Sequence, residues 1–255
     1  MSRGYSRESG NEFTRIAKEY DKGRASENVE LWARETRRLA GLGEGSAVLD
    51  LGCGTGLYTM SILGEVGCTI LGMDPVAGML GQAREKSRGV HWFAGMGEWL
   101  PLRPGVLDCI FSSQVWHHIE DKQGTANDSG RVLRGGGCYV IRTISHGQLN
   151  RKVVFTFFPE IKANQLRVYP SNHDFRTYFR NAGFSETAFH EYSLERYQDV
   201  DEFVEIAEKR LWSMFRPITE EGLRRGVAEL RRQGAESGGK PVRNDELITL
   251  VVSRK

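Results

Sequence analysis

Cysteine is scarce and unpatterned in this chain of 255 residues. Cys53, Cys68, Cys109 and Cys138 form no C-x-x-C pair and have no histidine cluster beside them, which excludes a structural zinc site and a disulfide framework and leaves them as buried thiols. Long hydrophobic runs are missing too. "CYVI" and "LITLVV" are far too short to cross a bilayer, and the polar opening "MSRGYSRESGNEF" lacks the pattern of a signal peptide. An excess of one charge is also missing, with 35 Lys and Arg against 33 Asp and Glu, a formal net charge of +2. That balance argues against a dedicated nucleic-acid binder. The expectation is a soluble, cytoplasmic protein with no membrane span and no nucleic-acid partner, a monomer or homodimer that works on a small molecule. Internal repeats and low-complexity segments are absent, and the length suits one enlarged domain.

What the chain does contain is alternation. After a polar start, Phe13, Ile16, Ala17 and Tyr20 recur at helical spacing, and a second amphipathic stretch carries Val29, Leu31, Trp32 and Leu39. "AVLDL" then reads as a strand buried on both faces. Helical and strand-like stretches follow in turn: "YTMSILGEVG", "TILGMD", "AGMLGQAREKS", "VHWFAG", "LDCIFSS", "TANDSGRVLRG" and "CYVIRTIS". Such a series predicts an α/β sheet wound with helices on both faces. Beyond Ser145 the regularity fails in an aromatic-rich segment, which precedes a helix-like "HDFRTYFRNAGF" whose Gly183 suits a C-terminal cap. "SETAFHEYS" reads as a late strand, "DEFVEIAEKRLWSMF" and "TEEGLRRGVAELRRQ" as helices, and "LITLVVSR" as the final strand. The organisation expected is N-terminal helices covering the site over 1–40, a core over 41–145, an insertion or lid over 146–182, and completion of the sheet with two inserted helices over 183–255.

The stretch "VLDLGCGTG" concentrates the chemistry. In an open α/β sheet, ligands sit beyond the carboxyl ends of the strands where the strand order reverses, and Gly52, Gly54 and Gly56 lie just after the first strand. Glycine permits positive φ and lets a ligand touch bare backbone, while the helix starting near Leu57 points free amides at the same place. A nicotinamide fingerprint needs a third glycine at position 57, which is leucine. The pattern present is D-x-G-x-G-x-G from Asp50 to Gly56. Asp74, 24 residues on, ends the second strand where an acidic side chain can accept hydrogen bonds from two ribose hydroxyls. The glycines also suit a plain tight turn, and Asp74 suits a helix cap.

With these residues, "GMGEWLPL", "LDCIFSSQVWHHIED" and "RVLRGGG", the sequence resembles the class I S-adenosylmethionine-dependent methyltransferases, in the ubiquinone/menaquinone-type (methyltransferase type 11) subgroup, over roughly residues 10 to 145. The resemblance implies a Rossmann-like, seven-stranded, mostly parallel sheet with helices on both faces and a helical, aromatic lid. It implies S-adenosyl-L-methionine as cofactor, S-adenosyl-L-homocysteine as product, and a small-molecule acceptor methylated at oxygen, carbon or nitrogen. The implied cofactor contacts are Tyr20, Arg24, Asp50, Gly52, Cys53, Gly54, Gly56, Asp74, Pro75, Met79, Met96, Gly97, Glu98, Ser113 and Gln114. Relatives often carry an acid where this chain has Met96, so adenine would be held by backbone at Gly97 and apolar contact. Tyr20 and Arg24, in "EYDKGR", fall in a segment that folds over the cofactor.

His117 and His118 follow the fourth strand and are the base candidates, since histidine titrates near neutral pH. Where related O-methyltransferases place a carboxylate after strand five, this chain offers Arg142 and Ser145. Phe155, Phe157, Phe158, Tyr169 and Trp212 are candidates for an aromatic acceptor pocket, or for the core of their own subdomain, with Arg151 and Arg167 able to meet an anionic group. Two alternatives stand beside this reading. "VWHHIED", "RVLRGGG" and the basic "RRGVAELRR" also fit a tRNA-modifying methyltransferase, and the departure at Met96 fits a non-catalytic cofactor binder.

Overall fold

The computed structural model describes residues 13–15, 17, 18, 20, 21 and 28–255. Helix α1, Val29–Ala40, is capped at its start by Asn28, whose side chain accepts from the Leu31 amide, and is stopped by Gly41 at φ 66°. Alternation then begins with β1 (Ala47–Leu51), α2 (Leu57–Val66), β2 (Thr69–Met73), α3 (Ala77–Lys86), β3 (His91–Phe93), β4 (Leu107–Ser113), α4 (Lys122–Val132) and β5 (Leu133–Thr143). The short helices α5 (His146–Leu149), α6 (Val154–Phe157) and α7 (Glu160–Val168) follow, then α8 (Asn172–Asn181) and β6 (Glu186–Leu194). The chain closes with β7 (Tyr197–Gln198), α9 (Val200–Glu208), α10 (Glu220–Glu236), β8 (Val242–Arg243) and β9 (Glu246–Arg254).

Seven strands form one sheet in the order β3-β2-β1-β4-β5-β9-β6, and β7 pairs with β8 as a separate antiparallel ribbon. The pairs β1–β2, β1–β4, β2–β3 and β4–β5 are all parallel. The sheet is therefore the Rossmann-like, seven-stranded, mostly parallel one the sequence predicts. Strand β1 has β2 on one side and β4 on the other, so the strand order reverses at its carboxyl end and opens a crevice there.

Contacts divide the chain into two compact units. The first comprises the described residues up to Thr143 together with Asn172–His190 and Leu250–Lys255. Its core joins Leu49, Leu51, Met73, Ile110, Trp116, Tyr139, Phe175 and Phe179. The second comprises Ile144–Ser171 and Glu191–Thr249, with a core that includes Phe155, Phe157, Phe158, Phe203, Phe215 and Leu230. Helix α8, which the sequence reading puts in the segment 146–182, thus falls with the first unit.

Two local expectations are corrected. The stretch from Asp201 to Phe215 is not one helix. α9 ends at Glu208, Arg210 takes φ 50°, and a separate 3-10 turn covers Ser213–Phe215. The guanidinium of Arg210 explains the break, because its Nη1 donates to the carbonyls of Phe215, Arg216 and Ile218, groups that a continuing helix would have to satisfy elsewhere. Likewise the helix expected over "TANDSGRVLRG" stops early, at Val132. β5 already begins at Leu133, and its register against β4 shifts between Leu107 and Cys109, with Gly136 at φ 79°.

Burial sets up an electrostatic cost in the first unit. Asp50 lies on β1 at 1% exposure, and Thr59 Oγ1 donates to its Oδ2 at 2.5 Å, tying the strand to the first turns of α2. Loss of solvation pushes its pKa up to about 7, against the Thr59 hydrogen bond, with a smaller contribution from nearby Asp74. A raised carboxyl pKa stabilises the fold below the unfolded value and loses that stabilisation as pH rises to the folded one. The window is therefore about pH 4 to 7. Asp50→Asn keeps an acceptor for Thr59 and removes the charge, so melting curves should show the variant gaining on the wild type between about pH 4 and 7, by roughly 3 °C or more.

In the second unit, Gly226 in α10 makes room for an aromatic ring. A Cβ there would lie 2.1 Å from Phe158 Cε1 and 2.8 Å from the Phe157 carbonyl oxygen. Gly226→Ala should therefore destabilise by about 1–3 kcal/mol despite the better helix propensity of alanine, a loss that denaturant titration would register.

Candidate functional site

The crevice is built by the turn after β1. Gly52, Gly54 and Gly56 have φ values of 73°, 55° and 79°, a run in the left-handed region that side-chain-bearing residues resist. The amides of Gly52 and Cys53 both donate to the Met73 carbonyl, at 2.7 and 3.0 Å, and fasten the turn to the end of β2. Asp74 completes the fastening. Its Oδ2 accepts from the Gly54 amide at 2.9 Å and its Oδ1 from the Val76 amide at 2.8 Å.

The three glycines do different work. A Cβ at Gly52 would meet Val115 Cγ2 at 2.4 Å, so this glycine admits the turn after β4. One at Gly56 would meet Trp92 Cη2 at 2.7 Å, and one at Gly72 would meet the same indole at 2.2 Å. These positions seat a tryptophan. Gly54 alone of the three faces open space, since a Cβ added there would have no described atom within 4 Å. The part of the turn shaped for a ligand is thus Gly54 and its neighbouring amides. α2 begins at Leu57 with Gly56 as N-cap and no side-chain cap, so its first-turn amides remain available to an anionic group.

Asp74 is 7% exposed, and desolvation raises its pKa to about 6 against the two backbone hydrogen bonds. Each of its oxygens carries one backbone bond and retains a second lone pair, the acceptor capacity that two hydroxyls of a ribose require. The helix-cap reading and the ligand reading of this residue are therefore compatible. Asp50, in contrast, is enclosed beneath the turn and bonded to Thr59. Cys53 is also buried, and loss of solvation raises its thiol pKa further, with added contributions from Asp50 and Asp74.

The remaining sequence candidates gather around this turn unevenly. Met79 is buried with Phe13, Ala17 and Val76, and Tyr20 packs against that cluster, while Pro75 is exposed. Met96 and Glu98 are half-buried, Met96 bridging to the exposed Trp99, and a Cβ at the buried Gly97 would press on Thr125 of α4 at 2.9 Å. Ser113 ends β4 at 7% exposure, and Gln114 follows in a left-handed conformation at φ 56°. Such strain in a side-chain-bearing residue is characteristic of functional turns. Arg24 lies outside the described residues.

His117 and His118 sit in a 3-10 turn, Trp116–His118, that is anchored by the residue before them. Trp116 is fully buried, its ring 5.3 Å from Phe175 and 5.4 Å from Phe179, and its Nε1 donates to the Tyr139 hydroxyl at 3.1 Å. With the indole driven inward, the two histidines stay half-buried, their ring centroids 3.9 Å apart. The Phe13 ring meets His118 edge-on at 5.5 Å.

Several participants lie outside the sequence prediction. Asp21 accepts from Thr55 Oγ1 at 2.5 Å and pairs with Lys86 at 2.5 Å, which attaches the N-terminal segment to the glycine turn and to α3. Nothing local in the sequence signals that contact. Val115 and Trp92 occupy space left by glycines, a relation legible only in three dimensions. Among the aromatic pocket candidates, Phe155, Phe157, Phe158 and Tyr169 are buried in the second unit's core with Trp212 packed on it, the alternative the sequence allows. Arg151 and Arg167 are exposed, and Arg167 donates to Asn164. The basic run on α10 is not a free cationic stripe, since Arg225 pairs with Glu160, Arg231 with Glu208, and Arg232 with Glu229 and Glu236. Among the described residues no helix is long and apolar enough to cross a membrane.

Comparison with known proteins points the same way as this geometry. Residues 49–141 match the family described as a methyltransferase domain. A malonyl-[acyl-carrier protein] O-methyltransferase of Yersinia pestis is 33% identical over 144 residues, which cover 54% of this chain and 51% of that one. The chain thus spans about half the length of that relative. A ubiquinone/menaquinone biosynthesis C-methyltransferase of Haemophilus ducreyi is 26% identical over 191 residues, covering 64% of this chain and 73% of the relative. Among solved structures, a Haemonchus contortus phosphoethanolamine N-methyltransferase in complex with S-adenosylhomocysteine shares the fold with a TM-score of 0.57 at 19% identity, over 90% of this chain and 52% of that one. With its glycine turn, the acid ending β2 and the methyltransferase-domain match over residues 49–141, the chain is similar to the class I S-adenosylmethionine-dependent methyltransferases.

Proposed function

We propose that this protein transfers the methyl group of S-adenosylmethionine to a small organic acceptor, at oxygen, carbon or nitrogen. The observation that carries the reading is the open face of Gly54 beside the Asp74 carboxylate, at the strand-order reversal. The relatives named as a malonyl-[acyl-carrier protein] O-methyltransferase and a ubiquinone/menaquinone biosynthesis C-methyltransferase support an organic acceptor group that is not a nucleic acid. The cofactor, when bound, supplies a sulfonium-activated methyl group. In this proposal Asp74 accepts from its ribose, the first-turn amides of α2 meet its carboxylate, and Met96, Gly97 and Glu98 flank its adenine.

The protein's remaining task is alignment and exclusion of water. In-line displacement disperses positive charge, so holding the acceptor in reach contributes more than added charges do, about 7–11 kcal/mol from orientation alone. A base adds roughly 10²–10⁴-fold for an O–H or N–H acceptor, and His117 and His118 at the end of β4 are the residues proposed to take that proton. The Phe13–Asp21 segment, attached through Asp21 and Thr55, is proposed as part of the cover over the site. The ion pairing along α10 weighs against a tRNA substrate, since Arg225, Arg231 and Arg232 of its basic run are already paired with carboxylates.

Calorimetry decides the cofactor half of the proposal. Purified protein should bind S-adenosylmethionine, and Asp74→Ala should weaken binding at least about tenfold. Because the ionised carboxylate is the better acceptor and its pKa stands at about 6, affinity should be full above pH 7 and should fall as pH drops through 6. A pH-independent affinity, or none at all, would refute it. Incubation of tritiated cofactor with a metabolite extract addresses the transfer half: label should appear in a small-molecule fraction, whereas bound cofactor with no transfer would identify a non-catalytic binder.

A further inference from the structure

A cationic side chain stands among the buried residues at the end of β5. Arg142 lies one residue from the carboxyl end of β5 and is 2% exposed, with Val140 and Ile141 before it fully buried. Burying a guanidinium is costly unless its hydrogen bonds and charge are met. Part of that requirement is met by two rings: the Arg142 Cζ lies 5.2 Å from the centroid of Trp32 on α1 and 5.1 Å from that of Tyr58 in the first turn of α2. Nη1 also donates to Ser113 Oγ at 3.2 Å, across a register in which Ser113 and Arg142 are paired.

The same residue holds the next one through its backbone. The Gln114 amide donates to the Arg142 carbonyl at 2.8 Å, and Gln114 is the residue held at φ 56°. Immediately after it, Val115 fills the space that a Cβ on Gly52 would occupy. One arginine therefore grips Ser113 by side chain and Gln114 by backbone, and its ring contact with Tyr58 reaches the start of the helix whose amides face the crevice. Those are the two walls of the glycine turn.

We infer that Arg142 is a positioning residue of the cofactor site: its guanidinium, clasped between Trp32 and Tyr58 and bonded to Ser113, fixes the strained turn after β4 against the glycine turn after β1. It touches no cofactor itself and acts through Ser113, Gln114 and Tyr58. The inference rests on the cofactor reading proposed above. A merely space-filling arginine would behave differently, since a well-packed apolar replacement of similar length is commonly neutral or stabilising.

The test measures S-adenosylhomocysteine binding by calorimetry, together with ligand-free melting temperature, for wild type, Arg142→Met, Arg142→Lys, Ser113→Ala and the double variant Ser113→Ala/Arg142→Met. Arg142→Met should weaken binding about tenfold, Ser113→Ala should weaken it several-fold, and the double variant should be no weaker than Arg142→Met. Arg142→Lys, which retains a donor and the charge, should recover part of the loss. Wild-type affinity in both Arg142→Met and Ser113→Ala overturns the inference while leaving the cofactor reading intact, as does a double variant whose losses simply multiply. Should Arg142→Met fail to fold, Arg142→Lys decides: unchanged affinity overturns the inference, and a loss of affinity in a variant that melts as the wild type does supports it. Absence of binding by the wild type overturns the cofactor reading, and this inference with it.

Discussion

The constraint on which the site depends is the double use of one buried carboxylate. Asp74 accepts the amides of Gly54 and Val76, one on each oxygen, and so joins the turn after β1 to the start of the segment leading into α3. Its low exposure makes the charge costly, and the rise in its pKa expresses that cost. A group that organises backbone and retains acceptor capacity toward the crevice links architecture to ligand recognition in a single side chain. The Asp50 carboxylate accepts from the Thr59 side chain and so ties β1 to α2.

Around that centre, the parallel sheet supplies rigidity and the turns supply shape. β1 and β4 are buried along nearly their whole lengths, so the turns that follow them start from fixed points. Trp116 then acts as a deep anchor that leaves the two histidines after it half-buried. The arrangement suits a reaction in which alignment outweighs acid–base chemistry, because the elements bounding the crevice are fixed by core packing instead of by long mobile loops.

Much of this was legible in the chain itself. The buried strand before the glycines, the alternation of helix and strand, and the acid 24 residues after Asp50 gave the sheet and the location of the crevice, because each follows from local periodicity and turn chemistry. The separate tasks of the glycines were not legible. Glycine at 52 and 56 looks the same in sequence as glycine at 54, yet the first two receive Val115 and Trp92 from remote segments and only the third opens onto space. Arg142 carried a partial signal, a lone charge inside "CYVIRTIS", but its ring partners come from α1 and α2, far away in the chain. The end of α9 was hidden for a similar reason: the helical pattern continues past Glu208, and the carbonyls that Arg210 collects become visible only once the loop is folded.

The Trp92 indole has a consequence for how this sequence can change over time. It occupies ground vacated by Gly56 and Gly72, and is fixed by a hydrogen bond from Nε1 to the Ser87 carbonyl at 2.8 Å. Positions 56, 72 and 92 are thereby bound into one steric unit. In related lineages, a side chain gained at either glycine requires a smaller residue at 92, so the three should drift together, although they lie on three different elements of the chain.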